Sequence, residues 1–126
     1  MTEIHGNIWR VRCTGCGGVA DNRDVPIRIL PTCTECQAVL RPHIVWFGEA
    51  LAEEDLRKSY EALESCEVLL IIGTSGIVYP AASFARIAKG GGAYVVELNL
   101  EMTPSTDLVD GSFQGRAKDL VPVLLE

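Results

Sequence analysis

Val68-Leu69-Leu70-Ile71-Ile72-Gly73-Thr74-Ser75-Gly76 decides the fold class. Five consecutive branched aliphatic residues have the length and continuity of a strand covered on both faces of a parallel sheet. The run is far short of the roughly 18 residues of a membrane span. The glycines stop it, and the loop offers backbone N–H groups and two hydroxyls at the strand's carboxyl end. Downstream, Pro80 is expected to open a helix at a favoured first-turn position, with Ala81, Phe84, Ala85 and Ala88 along its apolar face. Gly90-Gly91-Gly92 stops that helix, and Ala93–Leu98 reads as a second strand that ends in Asn99-Leu100-Glu101. A polar loop then runs through Gly115. A last helix is expected from near Asp119, with Pro122 in its first turn.

Upstream of the same strand, Glu53–Ser65 reads as a helix. Leu56, Tyr60 and Leu63 form one buried stripe, and Glu53, Glu54 and Asp55 complement the helix dipole. Ile44-Val45-Trp46-Phe47 is apolar and β-prone and is ended by Gly48. Strands alternating with helices after residue 43 imply parallel βαβ units. In such sheets ligands sit beyond the carboxyl ends of the strands. The loops Gly73–Ser75 and Asn99–Glu101 should therefore lie side by side. On pattern alone, ordinary turn chemistry explains each loop as well as a phosphate or ribose contact does, because neither G-x-G-x-x-G nor a P-loop is present.

Four of the five cysteines form two Cys-x-x-Cys pairs, Cys13/Cys16 and Cys33/Cys36, with 16 residues between them. That is the spacing of a four-cysteine zinc site, in which two tight turns close a tetrahedron of thiolates. With no ligand position open to water, such a zinc is structural. The alternatives are two disulfides or buried reduced thiols, and disulfides belong to oxidising compartments. Ile8–Arg12 alternates as a strand leading into the first knuckle. A second short strand is expected at Val25–Leu30, and Ala38–Arg41 leads out. Residues 13–41 form a ribbon too small to hold a core without metal. Cys66 reads as a small buried hydrophobe.

The 126 residues suit one domain of ordinary size, and a 48% hydrophobic, 22% charged composition is that of a globular chain. Eleven Lys/Arg against seventeen Asp/Glu give a net charge of −6 with no basic block. Nucleic acid and anionic membrane are poor partners for such a surface. The first residues, Met1 to Gly6, carry neither a basic region nor an apolar signal core, and a cytoplasmic location is expected. His5 and His43 are the only histidines, and each is taken as structural on composition alone.

Taken in order, these motifs resemble a known family. Glu3-Ile4-His5-Gly6-Asn7, the two cysteine pairs and Arg41-Pro42-His43-Ile44-Val45-Trp46-Phe47-Gly48-Glu49 come first. Gly73-Thr74-Ser75, Val78-Tyr79-Pro80-Ala81-Ala82 and Glu97-Leu98-Asn99-Leu100-Glu101 follow. The chain is similar to the C-terminal part of a sirtuin, an NAD-dependent protein-lysine deacylase, in its bacterial and desuccinylase-like branch. The resemblance implies an α/β chain. Residues 1–12 and 42–126 would be the C-terminal part of a Rossmann-like parallel sheet, and residues 13–41 the four-cysteine zinc-ribbon module.

The resemblance also implies roles. His5 matches the catalytic histidine, a residue type suited to proton transfer near neutral pH. Cys13, Cys16, Cys33 and Cys36 match the zinc ligands. Gly73, Thr74, Ser75, Asn99, Leu100, Glu101 and Ala117 match contacts to the co-substrate NAD. Val45, Trp46, Phe47, Gly48 and Glu49 match a segment that pairs with an acyl-lysine peptide, and Val78 and Tyr79 match the opposite wall. An extended peptide between such segments is strand addition. The implied reaction yields free lysine, nicotinamide and O-acyl-ADP-ribose. His43 keeps its structural reading.

The family's Gly-Ala-Gly-x-Ser cofactor loop and Gln-Asn-Ile-Asp segment do not occur in the sequence. Both precede the histidine motif in sirtuins, so about half of the catalytic domain is expected to lie outside this chain. Such an N-terminal half is then a partner, and the chain alone is expected to turn over poorly. The alternative is an inactive zinc-stabilised remnant or a partner-binding module.

Overall fold

A computed structural model describes residues 1–126. The chain divides into two compact units, Met1–Leu56 and Arg57–Glu126. The expected ribbon of residues 13–41 lies within the first.

The first unit is an antiparallel three-stranded sheet in the order β2-β1-β3, with β1 at Gly6–Cys13, β2 at Val19–Asp21 and β3 at Leu40–Ile44. β1 pairs Val11 with Ala20 on one side and Cys13 with Leu40 on the other. The strand expected at Val25–Leu30 is not there. Those residues form bends, and all six are exposed. Pro26 supplies no N–H for a ladder and no neighbouring strand runs alongside. The strand expected at Ile44–Phe47 sits earlier, at β3, because the chain turns over at Trp46–Glu49. Pro42 is accommodated in β3 because that strand is a sheet edge. Only Val11, Cys13 and Cys33 are buried in this unit, so its apolar core is thin.

The second unit is a parallel three-stranded sheet in the order β4-β5-β6, with β4 at Val68–Ile72, β5 at Tyr94–Asn99 and β6 at Gly111–Gln114. Helix α1 (Glu53–Ser65) straddles the division between the units, α2 spans Phe84–Gly90, and α3 spans Ala117–Leu124. Leu63, Ala85, Ala88, Ala93 and Val95 form the core, with Tyr60, Cys66, Leu69, Ile71 and Phe84 packed against it. Tyr60 and Phe84 meet edge-to-face, with ring centroids 5.9 Å apart. Large side chains such as Leu63 and Val95 each contribute roughly 1.5–3 kcal/mol by burial.

Four details differ from the sequence reading. β4 is covered on one face only. Leu69 and Ile71 pack inward, while Val68, Leu70 and Ile72 are 57%, 38% and 43% exposed. Pro80 does not start an α-helix. It precedes a 3-10 turn, Ala81–Ser83, which hands over to α2. Gly111–Gln114 is a strand rather than loop, formed by pairing with β5, and no helix lies between those two strands. Finally, α3 starts at Ala117, so Pro122 falls inside the helix, where its missing N–H removes one backbone hydrogen bond. No helix is long and apolar enough to cross a membrane.

Candidate functional site

The sulfurs of Cys13, Cys16, Cys33 and Cys36 all lie within 4.8 Å of one another. Cys13–Cys36 is 3.3 Å and Cys16–Cys33 is 3.9 Å, far beyond a disulfide bond. A tetrahedral zinc with bonds of about 2.3 Å sets neighbouring sulfurs about 3.8 Å apart, so the four side chains fit that ion. The two knuckles are built alike. The Gly17 N–H donates to the Cys13 carbonyl and the Gln37 N–H to the Cys33 carbonyl, and both donors have left-handed backbone (φ +74° and +61°). Cys13 Sγ accepts the Cys16 and Gly15 N–H groups at 3.4 and 3.3 Å. The Cys16 N–H, foremost, holds the Cys13 thiol down at about 6. Cys16 receives a lowering hydrogen bond from Gly18, but the Cys13, Cys36 and Cys33 sulfurs outweigh it and raise Cys16 to about 11. Four thiolates this close repel one another, and a divalent cation removes that conflict.

His5 lies on a turn closed by the Gly6 N–H donating to the Glu3 carbonyl at 2.7 Å. Its imidazole is exposed. Gly6 is forced by its surroundings: φ is +77°, and a Cβ there would stand 2.1 Å from the His43 carbonyl oxygen. The His5 carbonyl accepts the Val45 N–H at 3.0 Å, which joins the candidate catalytic turn to the candidate peptide segment. His43 Nδ1 accepts the Arg12 Nε–H at 3.1 Å. Burial first, and then the Arg12 and Arg10 charges, lower its pKa. His43 also lines a cavity of about 360 Å³ with Glu3, Gly6, Arg12, Val45 and Glu49.

Val45–Glu49 is braced from outside by Arg41, a residue the sequence motifs include without giving it a task. Arg41 grips both Glu49 carboxylate oxygens at 2.5 and 2.9 Å. The Arg41 hydrogen bonds, foremost, and then the Trp46 N–H hold the Glu49 carboxyl down at about 2, and the Arg41 charge adds to them. The pairing could not be read from the sequence, because the partners are eight residues apart and share no regular element: Arg41 lies in β3 and Glu49 beyond its end. Within this segment Phe47 is 96% exposed and Trp46 is 50% exposed.

In the second unit the two expected loops meet at the carboxyl ends of β4 and β5. The Gly73 N–H donates to the Leu98 carbonyl at 2.9 Å, and the Asn99 side-chain amide donates to the Thr74 carbonyl at 2.5 Å. The Gly115 N–H donates to the Asn99 carbonyl at 2.8 Å, which sets the start of α3, with Ala117 exposed, beside the same edge. Thr74, Ser75, Leu100 and Glu101 are exposed. Beneath them Glu97 is 1% exposed and accepts hydroxyl hydrogen bonds from Thr103 and from Thr106 at 2.6 Å, with Ser112 at 3.5 Å. A Glu inside an otherwise apolar strand, followed by Thr103 and Thr106, was the available sign of this arrangement. Val78 and Tyr79 are exposed in this second unit, whereas Val45–Glu49 belongs to the first.

The Sir2 family model matches residues 1–80. The chain belongs to the Sir2 family. This Sir2-family chain is 47% identical over its whole length to an NAD-dependent protein deacylase 2 of Pyrobaculum aerophilum, of which it covers 51%. It is 37% identical over 98% of its length to the mitochondrial NAD-dependent protein deacylase sirtuin-5 of Danio rerio, covering 48%. Among solved structures, a Sir2 homologue–NAD complex superposes with a TM-score of 0.91 at 35% identity, over 98% of this chain and 49% of that one. A Sir2 protein bound to a propionylated peptide gives 0.87 at 27% identity, over 98% and 54%. The chain spans about half the length of the relatives it matches.

Proposed function

We propose that this chain is the C-terminal half of an NAD-dependent protein-lysine deacylase catalytic domain. One observation carries the reading: the loops of Gly73–Ser75 and Asn99–Glu101 are hydrogen-bonded to each other at the carboxyl edge of a parallel sheet, in a chain that also holds the histidine turn and the four cysteines. That edge is where open α/β sheets take their ligands. NAD supplies the anomeric carbon that the acyl oxygen attacks as nicotinamide leaves. His5, exposed on its turn, would act as general base by taking up a proton from a ribose hydroxyl of the bound NAD. Gly73, Thr74, Ser75, Asn99, Leu100, Glu101 and Ala117 hold the dinucleotide. Val45–Glu49, with Val78 and Tyr79, receives an acylated-lysine peptide, and O-acyl-ADP-ribose is the co-product. Cys13, Cys16, Cys33 and Cys36 hold a structural zinc. Four thiols kept reduced suit the cytoplasm.

The test is nicotinamide release from NAD and an acylated peptide, by the chain alone and with an upstream half carrying the Gly-Ala-Gly-x-Ser loop. Little turnover is expected alone, because half of a dinucleotide site cannot orient both reactants. Turnover is expected with the two halves, and its loss in His5→Ala. No turnover with both halves, or a His5→Ala pair as active as the parent, rejects the assignment.

A second reading is favoured by the bare face of β4, where Val68, Leu70 and Ile72 are exposed on an edge strand. On it, the chain is a zinc-stabilised module that associates through that strand. Light scattering separates the two: a monomer at high concentration counts against the second.

A further inference from the structure

The Trp46–Glu49 segment is a closed turn. The Glu49 N–H donates to the Trp46 carbonyl at 3.0 Å, and the Trp46 N–H donates back to the Glu49 carboxylate at 3.0 Å. Gly48 takes φ +88° at the third position, where a type II turn requires left-handed backbone. Phe47 stands almost wholly exposed at the tip. All of this hangs on one cation. Besides its two contacts to Glu49, Arg41 donates to the Ile44 carbonyl at 2.9 Å, and its guanidinium carbon lies 3.7 Å over the Trp46 ring. Its side chain is 20% exposed, and its Nε is buried without a partner. Leaving that donor unpaired is a cost, which the other contacts of the same guanidinium must exceed. A planar, forked group that stacks and chelates at once is a task lysine cannot perform.

We propose that Arg41 is a positioning residue that builds the Trp46–Glu49 turn before any peptide arrives, so that Val45 and Phe47 are presented in one conformation. Glu49 is then the buttress of the turn, with both carboxylate oxygens already engaged by Arg41 and one of them also by the Trp46 N–H. This rests on the reading of Val45–Glu49 as the peptide-receiving segment. Its gain is entropic: a segment already fixed loses little freedom when a peptide docks on it.

The experiment uses the whole 126-residue chain with zinc bound. Amide exchange at Trp46 and Glu49 is compared in the parent, Arg41→Lys and Glu49→Gln, with the β1 amides and zinc content as controls. Arg41→Lys is expected to speed exchange at both sites about tenfold or more, the size of losing a charged hydrogen bond. Binding of an acetyl-lysine peptide should weaken about tenfold in the same variant with zinc content unchanged. Parent-like exchange in Arg41→Lys overturns the proposal. So does faster exchange with parent-like peptide affinity. If the parent binds no peptide while its turn stays protected, the substrate reading itself fails and takes the positioning role with it. If Arg41→Lys loses zinc or its β1 protection, Glu49→Gln decides: its amide oxygen still accepts from Trp46 but gives no bidentate charge. Faster Glu49 exchange then supports the proposal and parent-like exchange overturns it.

Discussion

Replacing Gly6 by alanine should be among the most damaging single-methyl changes in this chain. Two costs add. The residue sits at φ +77°, where a side chain costs roughly 1–2 kcal/mol. The new Cβ would also lie 2.1 Å from the His43 carbonyl oxygen and 2.8 Å from the Ile44 Cα, both backbone atoms that no rotamer change can move aside. Relief requires β1 and β3 to part by about 1 Å at the Gly6–Ile44 pair, which strains the neighbouring Val45-to-His5 hydrogen bond, worth about 1 kcal/mol. The total is about 3–5 kcal/mol. Gly17→Ala is the matched control: φ is +74°, but nothing lies within 4 Å of its Cβ, so only the conformational cost applies. Urea unfolding followed by tryptophan fluorescence is the assay, because Trp9 and Trp46 are the only tryptophans and both report on residues 1–56. A Gly6→Ala midpoint equal to that of Gly17→Ala would refute the reasoning, since the contact with β3 would then cost nothing.

Metal analysis of freshly purified reduced protein should give one zinc per chain, and strong chelation should abolish the tryptophan transition while the helical signal of α1 and α2 persists; no zinc contradicts the cysteine assignment. Leu63→Ala, at a 6% exposed core position, should destabilise the second unit by about 2–5 kcal/mol by circular dichroism, and a loss under about 1 kcal/mol would mean the core is mislocated. Glu97→Ala strands the Thr103, Thr106 and Ser112 hydroxyls and should cost about 2–4 kcal/mol in the same assay, with faster amide exchange across residues 99–106. Glu49 is held down at about 2, so its charge contributes above the ordinary carboxyl range and is lost as pH falls through about 2. The difference in Trp46 exchange between the parent and Glu49→Gln should therefore be flat from pH 7 to about 5 and shrink below about pH 4.5; a difference that grows on acidification would contradict that sign.

Elements with local signals were legible in the sequence. Glu53–Ser65 and Val68–Ile72 appear with the expected bounds, because one has a helical stripe and an acidic first turn and the other is an unbroken aliphatic run. The cysteine cluster was equally plain, since its spacing encodes its geometry. What escaped depends on partners remote in sequence. β6 exists because Leu98 lies opposite Phe113, and nothing in Gly-Ser-Phe-Gln announces a strand. β3 is a strand because β1 lies beside it, despite Pro42. The apolar Trp46-Phe47 pair suggested a strand, but a glycine and a salt bridge make it a turn. That the loops of Gly73–Ser75 and Asn99–Glu101 lie side by side was anticipated from the rule for strand ends, whereas the hydrogen bond from Asn99 to Thr74 and the tasks of Arg41 and Glu97 follow only from the structure.

The thin core of the first unit has a consequence for how such a protein is supplied. With Val11 and two cysteine side chains as its only buried groups, that unit is expected to draw its folding free energy from the proposed zinc rather than from oil. Each tenfold fall in free zinc then removes about 1.4 kcal/mol from it. The histidine turn and the braced Trp46 turn hang from β1 and β3, so the fraction of molecules with both in place should track the zinc buffering of the surrounding medium, although neither turn contains a cysteine of the proposed site.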